Sequence, residues 1–188
     1  MKMVNLDKAA IIVKKPEISI GLERYKFFRE NLFIEDITKD QRYQNEFRTF
    51  YQMRRFYSDD FAKQFFEILE YLKTEKELSY EEVLMRLYEI QGTFEMSFSS
   101  KLLHTIFPEY PIWDSVVTRN HFNIKAPYNS CKDKRAVCVS RYAIFKARFY
   151  EYLDTKEGRE LIKLFDAQFP DNGISNVKKV DFILWQDR

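Results

Sequence analysis

Two side chains suited to chemistry lie in one short stretch of the sequence. Lys101 follows serines in "SFSSKLLHTIF", and Asp114 follows a Pro-Ile-Trp run in "PEYPIWDSVV". A neutral lysine amine is a nucleophile, and a carboxylate can stabilise a developing positive charge or assist proton transfer. Each residue also has an ordinary interpretation, as a solvated surface cation and as a helix cap.

The elements around this pair are predicted to be two helix starts joined by a stiff connector. We expect one helix to begin near Ser99 and to end before Pro108, with Lys101 in its first turn. The positive end of the helix dipole would there lower the affinity of the amine for a proton. Two prolines in "PEYP" keep the connector extended, and Asp114 is placed to cap the next helix, "SVVTRNHF".

Helical patterns recur along the chain, so the predicted fold class is all-α. Only four glycines and five prolines are present, which disfavours a β-sandwich or barrel. Ser58, Ser79 with Glu82, Thr155 and Ser175 are expected to cap helices. The other predicted helices cover residues 18–33, 39–57, 59–73, 79–90, 132–153, 155–169 and 176–186. The length of 188 residues suits one compact multi-helix domain over residues 1–188, with room for two lobes and a cleft near residues 97–122.

Several classes of function lack support in the sequence. Cys131 and Cys138 lack metal-ligand or disulfide spacing, and the two histidines have no carboxylate or cysteine partners at such spacing, so we predict no metal and no cofactor. Motifs for nucleotide hydrolysis, dinucleotide redox chemistry, serine esterases and zinc proteases are missing. No run of apolar residues is long enough for a membrane span, and we expect a cytoplasmic protein without a membrane partner.

Charge is divided unevenly along the chain. Residues 57–96 hold ten acids and four bases, whereas residues 119–148 hold eight bases and the single acid Asp133. A basic region of this kind favours a polyanion such as DNA, with Tyr128 and Tyr142 stacking on bases or packing inward. The alternative is an internal match between acidic and basic helices. The cations that we predict to bind nucleic acid are Arg119, Lys125, Lys132, Lys134, Arg135 and Arg141.

The arrangement of Lys101 in "SSKLLH" and Asp114 in "YPIWDSVV" resembles the helix-hairpin-helix DNA glycosylase superfamily, particularly its 8-oxoguanine DNA glycosylase-like branch. The resemblance covers residues 79–122, and the ending "VDFILWQ" is similar to the closing helix of that branch. Where the family's hairpin is glycine-rich, this stretch has only Gly92. Ser97, Ser99 and Ser100 are therefore expected to supply hydroxyl and amide donors to DNA.

The resemblance implies a specific chemistry. A damaged base would be flipped into a pocket, the amine of Lys101 would attack the sugar C1′, and Asp114 would stabilise the charge on the sugar. Loss of the base would leave a Schiff base, from which the strand can be cleaved by elimination (AP-lyase activity). The residues considered for lining the base pocket are Phe98, His104, Trp113 and His121, each of which has core packing as its alternative.

Three hypotheses follow. The first is a DNA repair enzyme that excises a base through Lys101 and Asp114. The second is a non-catalytic protein of the same fold that binds nucleic acid through residues 119–148. The third is a helical module that binds another protein. The substrate base and the oligomeric state are not determined by the sequence.

Overall fold

The structure, a computed structural model, describes residues 4–53 and 59–187. Within these ranges the chain forms helices and no strands, which confirms the prediction of an all-α fold. The helices are α1 (Leu6–Ile12), α2 (Pro16–Asn31), α3 (Gln41–Phe50), α4 (Asp59–Leu72), α5 (Tyr80–Gln91), α6 (Met96–Ile106), α7 (Ser115–Asn120), α8 (Lys134–Asp154), α9 (Lys156–Gln168) and α10 (Asn176–Gln186).

The predicted caps explain where several helices begin. Ser79 and Glu82 form a complete capping box at the start of α5, and Gly92 ends that helix with a left-handed φ of 66°. The hydroxyls of Thr155 and Ser175 accept hydrogen bonds from the first turns of α9 and α10. These caps are confirmed. Ser58 and the last four residues of the predicted helix 39–57 lie outside the described residues.

The sequence patterns missed α1, a helix of seven residues capped by the side chain of Asn5. Its short apolar run has too few turns to show helical periodicity. Buried side chains from all ten helices form one hydrophobic cluster, which is rich in phenylalanine and tyrosine. The rings of Phe28 and Phe47, for example, lie 5.4 Å apart between their centroids. Apolar burial at this scale is the main stabilising contribution to the fold.

The last helix, α10, packs against the N-terminal helices α2 and α3. Phe182 of α10 contacts Tyr25 of α2 and Phe50 of α3, with centroid distances of 6.3 and 6.1 Å. At Gly21 an added Cβ would lie 3.0 Å from the Phe182 ring, so the glycine gives the ring room to approach α2. These contacts place the last helix beside α2 and α3, two helices that are far from it in sequence.

Candidate functional site

A cavity of about 500 Å³ lies between α2, the end of α3, α6, the start of α7 and α10. Lys101 and Asp114 both line it. A cavity of this size lies in the range of small-molecule sites in proteins. The other lining residues are Glu17, Ile20, Gly21, Arg24, Thr49, Phe50, Tyr51, Gln52, Ile112, Lys178, Asp181, Phe182, Trp185 and Gln186.

Lys101 lies about one turn further into its helix than predicted, because α6 begins at Met96. The helix dipole has little effect on a side chain so far from the helix terminus. Burial, and not the dipole, is therefore the main cause of the shifted pKa of Lys101. The pKa of Lys101 is lowered to about 8, chiefly by burial; the carboxylate of Asp114 opposes this shift, and the nearby Lys178 contributes to it. The amine donates a hydrogen bond to the Ser97 hydroxyl at 2.9 Å. A sizeable fraction of this amine is therefore neutral near physiological pH.

Asp114 caps α7, as predicted from the sequence. Its Oδ1 atom accepts hydrogen bonds from the backbone N–H groups of Val116 at 2.8 Å and Val117 at 3.2 Å. Both cap bonds go to the same oxygen, so the cap does not use Oδ2. Capping and participation in the cavity are thus compatible for this carboxylate.

The connector between Lys101 and Asp114 is held through its backbone. Carbonyl groups along it accept hydrogen bonds from Ser175 at Pro108 (2.8 Å) and from Tyr142 at Pro111 (2.9 Å). The N–H of Trp113 donates to the Ser100 hydroxyl at 2.8 Å, which links the connector directly to α6. Side chains of α6, α8 and the α10 cap therefore fix the position of Asp114 relative to Lys101.

A second lysine and a second aspartate line the same cavity. Lys178 and Asp181 of α10 are 3% and 6% exposed, and their Nζ and Oδ2 atoms lie 2.7 Å apart. Burial raises the pKa of Asp181, and the adjacent ammonium of Lys178 opposes that rise. Removing two charges from water is costly, so an ion pair in this position is not explained by stability alone.

Aromatic side chains form much of the remaining cavity wall. Phe50, Tyr51, Phe182 and Trp185 line it. The amine of Lys178 lies 4.7 Å from the centre of the Phe182 ring, and the amines of both lysines lie within 6 Å of the Tyr51 ring centre. Flat aromatic walls combined with a few charged groups suit a planar polar ligand.

The four residues considered for the base pocket lie elsewhere. His104 is fully buried and is hydrogen-bonded to Tyr25 and to the backbone of Tyr110, and burial lowers its pKa to about 3. Phe98 packs against Phe61 and Phe65. His121 is buried, with its Nε2 atom 3.8 Å from Asp187. These three do not line the cavity, although the centre of the Phe98 ring lies 4.9 Å from the amine of Lys101.

Trp113, the fourth of these residues, lines a second cavity of about 290 Å³ and packs edge-on against Phe145. This second cavity also includes Asp114, Ser97 and Lys134. Asp114 is thus a wall residue of both cavities.

The three serines have different environments. Ser99 and Ser100 are fully buried, and their hydroxyls donate to the backbone carbonyls of Glu95 and Ser97. These hydroxyls have partners inside the protein, so the structure gives Ser99 and Ser100 an internal role. Ser97 is partly exposed and accepts the hydrogen bond from Lys101.

The basic region is partly engaged by the protein itself. Arg135 forms an ion pair with Glu81 of α5 at 2.7 Å, an instance of the predicted internal match. Lys134 donates to Asn129, and Arg141 donates to the carbonyl of Lys125. Arg119, Lys125 and Lys132 have exposed side chains.

The two tyrosines of the basic region also differ. Tyr142 is buried, with its ring stacked 3.7 Å from that of Tyr80, so it belongs to the core. Tyr128 is 80% exposed, on the loop that Lys134 and Arg141 hold against α8.

Lys178, Asp181, Tyr51 and Trp185 were not predicted as site residues. One signal for two of them is present in the sequence: "VKKVDFILW" places Lys178 and Asp181 three residues apart in a helix rich in apolar residues. Such a pair at i and i+3 lies on one helix face, here the face that is buried. For Tyr51 we find no comparable signal.

Among the described residues no cluster of three or more potential metal ligands occurs. None of the described helices combines the length and the apolar character needed to cross a membrane. Comparisons with family models, curated proteins and solved structures found no match to this chain.

Proposed function

We propose that the protein is a DNA glycosylase of the helix-hairpin-helix type, with Lys101 as nucleophile and Asp114 as the carboxylate that stabilises the charged sugar. The observation that carries the proposal is that Lys101, with a pKa lowered to about 8, and Asp114 line one cavity. The neutral amine is the form required for attack on carbon, and with this pKa a sizeable fraction of Lys101 is neutral between pH 7 and 8.

The surroundings of the pair support the same reaction. Phe50, Tyr51 and Trp185 offer planar surfaces against which an extruded base can lie. Outside the cavity lining, Arg119, Lys125 and Lys132 are exposed, and exposed cations can contact phosphates. The amine of Lys101 would bond to C1′ as the bond to the base breaks, and opening of the sugar ring would give an iminium.

Borohydride trapping tests the proposal, because borohydride reduces an iminium to a stable secondary amine. Duplexes that contain 8-oxoguanine, uracil or an abasic site are incubated with the protein and the reductant. We expect a covalent protein–DNA adduct with the wild-type chain and its loss in Lys101→Gln. The rate of trapping should rise as the pH rises through about 8, because the neutral amine is the reactive form.

Lys163→Gln is the matched control, since Lys163 is an exposed lysine of α9 that pairs with Glu160. This variant should form the adduct as the wild-type chain does. Absence of an adduct from the wild-type chain, or its persistence in Lys101→Gln, would contradict the proposal. Salt-sensitive DNA binding without an adduct would instead support the second hypothesis, a non-catalytic DNA-binding protein.

A further inference from the structure

The second lysine of the cavity has no role in the reaction described so far. Lys178 and Lys101 share one cavity and lie near the same ring, with their amines 5.9 and 5.7 Å from the centre of Tyr51. Their partners differ. Lys101 donates to the neutral hydroxyl of Ser97, whereas Lys178 contacts the carboxylate of Asp181 at 2.7 Å.

The Nζ atom of Lys178 lies among one carboxylate and several aromatic faces. Besides Asp181, the faces of Phe182, Phe50, Tyr25 and Tyr51 surround its Nζ atom at 4.7, 5.1, 5.2 and 5.9 Å from their centres. A carboxylate and aromatic faces both attract a cation. The cavity thus holds two lysines in different environments, one without a carboxylate in hydrogen-bond contact and one paired with Asp181, and different environments allow like groups to take different roles in catalysis.

A proton donor at the base accelerates its excision. The base departs with the electron pair of its bond to C1′, and a protonated base is a better leaving group than the corresponding anion. Asp114 is a carboxylate engaged in a cap, and Lys101 must be neutral to attack. Lys178 lines the same cavity and carries protons that neither of these two roles uses.

We propose that Lys178 is the general acid that protonates the departing base, with Asp181 holding its ammonium in place. This inference rests on the proposed glycosylase function. The nitrogen of Lys101 bonds to C1′ while the C1′–base bond breaks, and the base takes a proton from Lys178. The secondary ammonium formed on Lys101 then returns a proton to the neutral amine of Lys178. The C1′–O4′ bond opens to the iminium, and the ring oxygen takes a proton from water.

The test compares two reactions of the same protein. Release of a base from the 8-oxoguanine or uracil duplex is accelerated by the acid, whereas trapping at an abasic site has no base to protonate. In Lys178→Arg the cation and its partner are retained, but a guanidinium does not give up its proton at neutral pH. We expect base release to fall about 100-fold more than abasic-site trapping, the size of effect typical of general acid catalysis.

Lys178→Met combined with Asp181→Leu serves as a second variant, because it replaces the buried pair with apolar side chains and leaves no unpaired charge. It should show the same selective loss. An equal loss of both reactions, or no loss in either, would overturn the assignment. The two proposals fail separately: a wild-type chain that neither traps nor releases a base refutes the glycosylase function, whereas the ratio in the Lys178 variants concerns the acid alone.

Discussion

Two ion pairs of equal length show how differently this molecule uses charge. Lys178 and Asp181 lie 2.7 Å apart in the cavity wall, with side chains 4% and 8% exposed. Arg135 and Glu81 also lie 2.7 Å apart, but their side chains are 54% and 41% exposed, in the basic region. Because water screens the second pair and not the first, distance alone does not determine what a charge pair contributes.

The lysines with a predicted functional role differ in exposure in the same way. In the cavity, burial lowers the pKa of Lys101 to about 8. In the basic region, Lys125 and Lys132 are exposed. We expect chemical reactivity at a lysine that is buried away from water, and attraction of anions at a lysine that remains solvated.

Breaking the buried pair should produce the largest change in stability. Lys178→Met leaves the carboxylate of Asp181 buried without its partner, which we expect to lower the free energy of unfolding by about 3–5 kcal/mol. Adding Asp181→Leu should recover most of the loss. Urea unfolding at neutral pH measures both values, and a single variant as stable as the wild-type chain would remove the contrast between the two pairs.

Substitutions of Asp114 should have an intermediate effect on stability. Two of them separate the role of Asp114 as a helix cap from the role of its negative charge. Asp114→Ala removes the α7 cap and should cost about 1 kcal/mol of stability, whereas Asp114→Asn keeps a capping oxygen and should cost only a few tenths. Borohydride trapping should fall in both variants, because neither retains the carboxylate. If Asp114→Asn traps as well as the wild-type chain, the aspartate is a cap and nothing more.

The exposed pair should give the smallest effect. We expect Arg135→Gln to change the free energy of unfolding by less than about 1 kcal/mol, since both partners are solvated. The same urea experiment at low and high salt measures it. A loss comparable to that of Lys178→Met would mean that burial is not the property that distinguishes the two pairs.

The sequence predicted what local interactions decide. The caps at Ser79, Asp114, Thr155 and Ser175 depend on residues within one turn, and each was placed correctly. The start of α6 was misplaced for a local reason as well. The hydroxyl of Ser99 bonds to a carbonyl one turn earlier in the helix, instead of capping the next turn.

The cavity wall is a product of long-range packing and was predicted only in part. Lys101 and Asp114 are joined by one connector, so their convergence was an expectation that sequence proximity supports. Tyr51, at the end of α3, and Lys178, in α10, both line the cavity. No local sequence pattern indicates that these two helices pack near each other. The burial of Lys101 depends on the same long-range contacts, which the sequence does not show. The sequence therefore indicated the helix dipole, and not burial, as the cause of the lowered pKa of Lys101.

Identification of the modified lysine tests the central claim most directly. The adduct trapped with borohydride on an abasic duplex is digested with nuclease and protease, and the peptide that carries the sugar remnant is located by mass spectrometry. The account predicts a single modified residue, Lys101. Modification of Lys178 or of an exposed lysine, or the absence of any modified peptide, would contradict it.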